Sequence, residues 1–226
     1  MLEAKKSYLI VDAGNTSIKV ALVENQEMGI VHRVKTWGEA LEFVKGRHVV
    51  LASVLGTEDR SSLKLNVASV HQVTSKSRLP FRSLYTSMDT VGIDRLCNVA
   101  AAKLHSSGKN NLIIDIGTCV KFDFLSADGF YHGGSIAPGI DMRYRSLNHY
   151  TSKLPLLTFK DKVSLIGENT NASIHSGVIN GMTHEIQGMI SRYERDFDEL
   201  QIFLTGGDAS YFDFPQKSNI FANKNL

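Results

Sequence analysis

Leu9-Ile10-Val11-Asp12-Ala13-Gly14-Asn15-Thr16 and, 103 positions later, Leu112-Ile113-Ile114-Asp115-Ile116-Gly117-Thr118 are nearly the same phrase. Each is an apolar run that ends in Asp, then a small loop with Gly and Thr, then a second apolar run. A strand that ends in Asp-x-Gly and turns into another strand can place backbone N–H groups and a hydroxyl around a phosphate, with the carboxylate ready for a metal ion. Two such loops facing each other across a cleft could grip the phosphates of one nucleotide from both sides. The repeat therefore points to a nucleotide-dependent phosphotransferase built from two similar halves.

Around the first copy, Ser7 to Val11 reads as a buried strand, Ser17 to Val23 as a second and Gly29 to Val34 as a third. Turns at Gly14-Asn15 and Glu24-Asn25-Gln26-Glu27 make this a meander. Val49 to Val54 is another run of strand length, whereas residues 74–92, which contain Pro80, read as an irregular connection or binding loop. From Asp94 the pattern turns helical, with Leu96, Val99, Ala100 and Leu104 near helical spacing. Ser106-Ser107-Gly108-Lys109-Asn110-Asn111 is the boundary, which divides the chain into an N-terminal half, 1–108, and a C-terminal half, 109–226.

The second half repeats the opening. Leu112 to Ile114 and Val120 to Leu125 are strands, and another starts at Phe130-Tyr131. Gly133-Gly134-Ser135-Ile136-Ala137-Pro138-Gly139 is too rich in glycine and too short of charge for an ordinary surface linker. Asn171 is placed to cap a long helix whose apolar stripe is Ile174, Val178, Met182, Ile186, Met189, Ile190, Tyr193 and Phe197. Gln201 to Leu204 is the last strand, followed by Thr205-Gly206-Gly207-Asp208.

Several of these segments carry chemistry. In Asp12-Ala13-Gly14-Asn15-Thr16-Ser17-Ile18-Lys19, Gly14 permits a tight turn close to a ligand, Thr16 offers a hydroxyl, Lys19 a cation and Asp12 a carboxylate for Mg²⁺. The plain alternative is a β-hairpin with an Asp–Gly turn; the string is not a Walker A loop. Asp115-Ile116-Gly117-Thr118 gains weight as its partner, because a carboxylate at the end of a buried strand is costly unless it meets a cation or donors. Thr205-Gly206-Gly207-Asp208 is a third loop suited to nucleotide contact, or a simple strand-to-helix turn. Gly92-Ile93-Asp94-Arg95 stands where irregular chain becomes helix. An Asp there is most simply a cap or dipole partner. Functionally it is a weak catalytic base, and phosphoryl transfer through a loose transition state asks for no stronger one. Arg95 could hold an anionic group.

Composition narrows the field further. A chain of 226 residues, 42% hydrophobic and 21% charged, has apolar material for one large domain or two halves of about 100–120 residues. The formal charge of +2, with no basic run, argues against nucleic acid as a partner. Cys97 and Cys119 fit a reducing cytoplasm rather than a disulfide framework, and the eight histidines form no metal pattern. The start of the chain reads as neither signal peptide nor membrane span.

Five motifs, in order, resemble those of type III pantothenate kinases: Asp12-x-Gly14-Asn15-Thr16-x-x-Lys19, Gly92-x-Asp94-Arg95, Asp115-x-Gly117-Thr118, Gly133-Gly134-x-Ile136-x-Pro138-Gly139 and Thr205-Gly206-Gly207-Asp208. The resemblance covers essentially the whole chain. It implies an α/β fold of two tandem actin-like ATPase (ribonuclease H-like) halves around a nucleotide cleft, as in the acetate and sugar kinase, heat-shock chaperone and actin superfamily. It implies ATP-dependent phosphorylation of pantothenate to 4′-phosphopantothenate, the first committed step toward coenzyme A, with Mg²⁺ and a monovalent cation (K⁺ or ammonium), in a cytoplasmic homodimer. Carried over by position, Asp12, Ala13, Gly14, Asn15, Thr16, Ser17, Ile18 and Lys19 would bind ATP, with Asp12 near the Mg²⁺. Asp115 would sit at the monovalent cation, and Thr118 would contact ATP phosphate. Asp94 would be the proton acceptor. Tyr85, Gly92, Ile93, Asp94 and Arg95 would line the pantothenate site. Thr170, which matches a substrate-contacting position and begins the long apolar helix, is expected at a dimer interface.

Two departures stand out. The family usually continues its second phosphate loop as Gly-Thr-Ala-x-Thr, where this chain has Gly117-Thr118-Cys119-Val120-Lys121. Lys121 puts a long cation where a small hydroxyl is usual. The chain is also on the short side for the family. The other readings to weigh are a different small-molecule kinase on the same scaffold, or a non-catalytic transcriptional accessory factor.

Overall fold

β1 (Ser7–Ala13), β2 (Ile18–Glu24) and β3 (Glu27–Val34) form the first meander, antiparallel throughout. Alternation decides which face is buried: Leu9, Val11 and Ala13 point to one side of β1, Ile18 and Val20 to the same side of β2. The computed structural model describes residues 7–14, 16–25, 27–53, 67–212 and 219–222. After the meander comes α1 (Trp37–Val44), which starts on a reciprocal cap. Thr36 Oγ1 accepts from the Glu39 N–H at 3.2 Å, and Glu39 Oε2 accepts from the Lys35 N–H at 3.1 Å. Ala40 and Val44 of α1 close over the core. Trp37 packs against the same core, with its indole N–H buried and without a hydrogen-bond partner. β4 (His48–Ser53) then runs parallel to β1, and β5 (Ser69–Gln72) parallel to β4, for a sheet order of β3-β2-β1-β4-β5.

The second sheet repeats this plan. β7 (Asn111–Ile116), β8 (Cys119–Leu125) and β9 (Phe130–Pro138) are an antiparallel meander. β10 (Gln201–Thr205) runs parallel to β7, and β11 (Ile220–Ala222) parallel to β10. A short β6 (Arg82–Ser83) adds to the far edge beside β9, giving β11-β10-β7-β8-β9-β6. The helices are α2 (Ile93–His105), α3 (Ile140–His149) and α4 (Thr170–Asp196). Ile174, Val178, Met182, Ile186 and Ile190 recur every four residues on α4 and cover Leu112, Ile114 and Ile116 of β7. Each such side chain contributes about 1.5–3 kcal/mol when fully buried.

Each sheet is the actin-like α/β half expected from the sequence: a meander, a helical connection to a strand parallel to the first, and a further parallel strand beside that one. The chain divides into two compact units, 1–79 with 87–97, and 80–86 with 98–226. The division thus falls inside α2, before the expected 108/109 boundary, and residues 80–86 belong with the second unit because β6 pairs with β9. Other local readings also shift. Asn169, not Asn171, caps α4: its extended backbone lets Oδ1 accept from the Ala172 N–H at 3.0 Å. The glycine-rich stretch from Gly133, expected to be no ordinary surface linker, forms the end of strand β9 as far as Pro138. Residues 74–92 hold β6 and a 3-10 turn at Met88–Thr90. Among the described residues, no helix is long and apolar enough to cross a membrane.

Candidate active site

Asp12 stands on β1 directly across from Lys19 on β2. Side chains opposite one another on an antiparallel pair meet, and Lys19 Nζ lies 3.4 Å from Asp12 Oδ2. Both stay open to water, Lys19 29% and Asp12 42% exposed. The turn is closed by the Gly14 N–H, which donates to the Ser17 carbonyl at 3.1 Å. Ala13 and Ile18 are buried anchors, so they can offer a ligand only their backbone, whereas Thr16 is exposed. Asn15 lies outside the described residues.

The second hairpin is built alike and packed differently. Asp115 on β7 faces Lys121 on β8. Lys121 Nζ sits 2.7 Å from Asp115 Oδ2, and the side chains are only 18% and 16% exposed. Asn98 Nδ2 donates to the same oxygen at 3.5 Å. One backbone bond closes the loop, Gly117 N–H to the Cys119 carbonyl (3.1 Å), and two stitch it to its neighbours, Asp208 N–H to the Ile116 carbonyl (3.0 Å) and Gly139 N–H to the Thr118 carbonyl (3.1 Å). The Thr205-to-Asp208 loop and the start of α3 therefore both rest on the Asp115 loop. Gly139 has to be glycine, because a Cβ there would strike the carbonyl oxygens of Gly117 and Thr118. Beside Thr118 the N-terminal turn of α3 makes a setting that favours anions. Carboxylates gather here too. Burial holds the Asp208 carboxyl above its usual range, and the charges of Asp141 and Asp115 add to that.

Asp94 belongs to the first unit, in the opening turn of α2. Its Oδ1 accepts from the Arg95 N–H at 2.9 Å, and a Cβ at position 92 would run into this carboxylate, which accounts for the Gly-x-Asp spacing. Asp94 is half-buried, but Arg95 is 5% exposed, so its guanidinium stem is part of the packing. One turn along the helix, the Cys97 thiol is pushed up to about 11, by burial first and then by the negative charges of Asp12 and Asp94. Asp12 and Asp94, distant in sequence, thus act on one thiol.

Tyr85 falls in the second unit, its ring against the Gly133 backbone and 5.8 Å from the ring of Tyr131. Thr170 is the first residue of α4 and exposed. The sequence reading left out Asn98, Asp141 and the pairing of Lys121 with Asp115. The last was readable: a hairpin that turns at Gly117-Thr118 puts residue 121 opposite residue 115, as the first hairpin puts 19 opposite 12.

The two expected ions fare differently. Mg²⁺ takes hard oxygen ligands and keeps several waters, so it needs one or two carboxylates with room around them. The half-exposed Asp12 carboxylate fits that requirement. A free monovalent cation at Asp115 does not fit, because the Lys121 ammonium already lies on that carboxylate.

A model of the type III pantothenate kinase family matches residues 8–192. A type III pantothenate kinase of Christiangramia forsetii is 41% identical over 227 residues, covering 96% of this chain and 93% of the relative. Among solved structures, a Campylobacter jejuni protein assigned to the Baf family of transcriptional activators superposes with a TM-score of 0.63 at 21% identity, covering 96% of this chain and 91% of the other. A Sinorhizobium meliloti protein described as a 2-dehydro-3-deoxygalactonokinase gives 0.52 at 13% identity, covering 96% and 93%. These two likenesses speak for the fold alone. Family match and near-full-length identity together place the chain: it belongs to the type III pantothenate kinase family.

Proposed function

We propose that the family's reaction, ATP-dependent phosphorylation of pantothenate on the way to coenzyme A, runs on this chain with Asp94 as proton acceptor and the two Asp-x-Gly loops as holders of ATP. The observation that carries this reading is the family match over residues 8–192, with the phosphate-loop carboxylate Asp12 at the end of β1 and the candidate base Asp94 in the opening turn of α2; the negative charges of both, which oppose ionisation of the Cys97 thiol, are consistent with a common neighbourhood. Asp12 would hold Mg²⁺, which supplies charge neutralisation on the phosphates when bound. The exposed Thr16 offers a hydroxyl contact to phosphate and Lys19 a cation, while Gly14, whose N–H closes the turn onto the Ser17 carbonyl, lets the backbone approach the ligand. Thr118, in the β7–β8 turn beside the start of α3, offers another hydroxyl where anions are favoured. Asp94 orients the pantothenate hydroxyl and accepts its proton as its oxygen bonds to the γ-phosphorus and the bond from that phosphorus to the bridging oxygen of ADP breaks. Positioning and charge stabilisation supply the rate, with no covalent enzyme intermediate.

Tyr85 and the segment from Gly92 to Arg95 would line the pantothenate site. Thr170, with the exposed Leu165 and Ile166 (76% and 77%) before it, supports a homodimer through this region; a monomer mass in sedimentation would remove it. A cytoplasmic location fits an ATP-dependent step and the unpaired Cys97 and Cys119. The test of the central role is Asp94→Asn. Its kcat should fall by about 10²–10⁴-fold while ATP still binds in calorimetry. Near-normal turnover in that variant would take Asp94 out of the mechanism.

A further inference from the structure

We propose that Lys121 is a tethered monovalent cation. Its ε-ammonium takes the place beside Asp115 that a free potassium or ammonium ion would otherwise fill, so the kinase reaction of this chain does not depend on either ion. The inference rests on the pantothenate kinase reading above.

Lys121 Nζ lies 2.7 Å from Asp115 Oδ2, and both side chains are mostly withdrawn from water. An alkylammonium carries the same single charge as ammonium, and potassium is close to it in size. Strand register sets residues 115 and 121 opposite each other across β7 and β8, and the withdrawal of both side chains from water opposes their separation. A free ion would have to displace a group whose local concentration is set by a short tether, which is millimolar or higher for flexible linkers and higher still for a rigid one. The surroundings call for a cation, since Asp208 feels the negative charges of both Asp141 and Asp115. Asn98 donates to the same carboxylate oxygen, so Oδ2 already has two donors. The first hairpin shows that such a pairing need not be tight. Lys19 keeps 3.4 Å from Asp12 and both are open to water, which leaves that carboxylate free to take a metal.

The test compares the unaltered protein with Lys121→Thr and Lys121→Arg in potassium chloride, ammonium chloride and choline chloride at matched ionic strength. Two quantities are read, pantothenate phosphorylation and thermal unfolding. The unaltered protein should turn over at rates within about twofold in all three salts, whereas Lys121→Thr should lose about 10²-fold in choline and regain activity with potassium or ammonium. In unfolding, Lys121→Thr should gain a saturable rise in Tm with potassium that the unaltered protein and Lys121→Arg lack. A tenfold or greater activation of the unaltered protein by potassium (about 1.4 kcal/mol), or a potassium-specific rise in its Tm, overturns the proposal. So does a Lys121→Thr protein indifferent to all three salts. If the unaltered protein phosphorylates nothing in any salt, the kinase reading fails, and the unfolding measurements still decide the cation question.

Discussion

Asp12 and Asp115 occupy the same place in two copies of one hairpin, each with a lysine across from it, yet the two pairs are not equivalent. The Asp12–Lys19 pair is long and wet, and the Asp115–Lys121 pair is short and mostly buried. A solvent-exposed pair contributes little to stability, because water and salt already satisfy both charges. A withdrawn pair contributes little more in total, but removing one partner strands the other. The same motif therefore gives one half a carboxylate that can be spent on a metal and the other half a carboxylate already committed to the protein's own cation.

The comparison can be broken at either end. The largest effect is expected from Asp12→Asn, which should lower kcat/KM by about 10²–10³-fold and shift the Mg²⁺ dependence to higher concentration. If Mg²⁺ dependence stays put, Asp12 is not the metal's carboxylate. Next comes Asp115→Asn, which leaves Lys121 withdrawn from water without its counter-charge. It should cost about 3 kcal/mol, or roughly 6–12 °C in Tm. A Tm equal to that of the unaltered protein would show the second pair to be as wet as the first. Lys19→Met should cost no more than about 1 kcal/mol by denaturant unfolding. A larger loss would mean that the first pair is tighter than its 3.4 Å separation suggests.

The smallest effect concerns Cys97. Its thiol is held up to about 11 in the folded protein, above the ordinary value of 9.0, so the folded state keeps the proton longer than the unfolded chain. The stability this contributes is fully present below pH 9.0 and lost as pH rises toward 11. Iodoacetamide at pH 8 should therefore label Cys97 slowly. Asp12→Asn or Asp94→Asn should raise that rate by about two- to fivefold, since each removes one negative charge that opposes the thiolate. If neither substitution changes the rate, the two carboxylates do not share the neighbourhood of this thiol.

Much of this was legible in the sequence. The duplicated phrase located β1 and β7, the hairpins after them, and the repeat of one half-fold in the other. The stripe from Ile174 to Ile190 located α4, because a 3.6-residue period over many turns has few other readings. Short elements were harder. α1 is eight residues long with a glycine at its second position, and only Ile140 and Tyr144 of α3 are buried, so neither helix announces itself by period. β6 is two residues long and exists only because β9 offers an edge. At the site, residue types could be read off motifs, but partnership depends on register. Nothing about Lys121 alone says that it lies on Asp115; the pairing comes from the length of the turn between them. Gly139 and Gly133 stood out only as members of a glycine-rich stretch; their smallness is used within the protein, by the Thr118 loop and the Tyr85 ring.

Trp37, at the start of α1, has an optical consequence. It is the single tryptophan of the chain, and it packs on the core of the first sheet. Fluorescence excited at its red edge therefore comes from one of the two repeated folds and is silent about the other. Its buried indole N–H has no hydrogen-bond partner, so water reaching it on unfolding should move the emission to longer wavelength. A transition seen by this colour change and one seen by far-ultraviolet circular dichroism need not coincide, and the gap between them would measure how independently the two repeats melt.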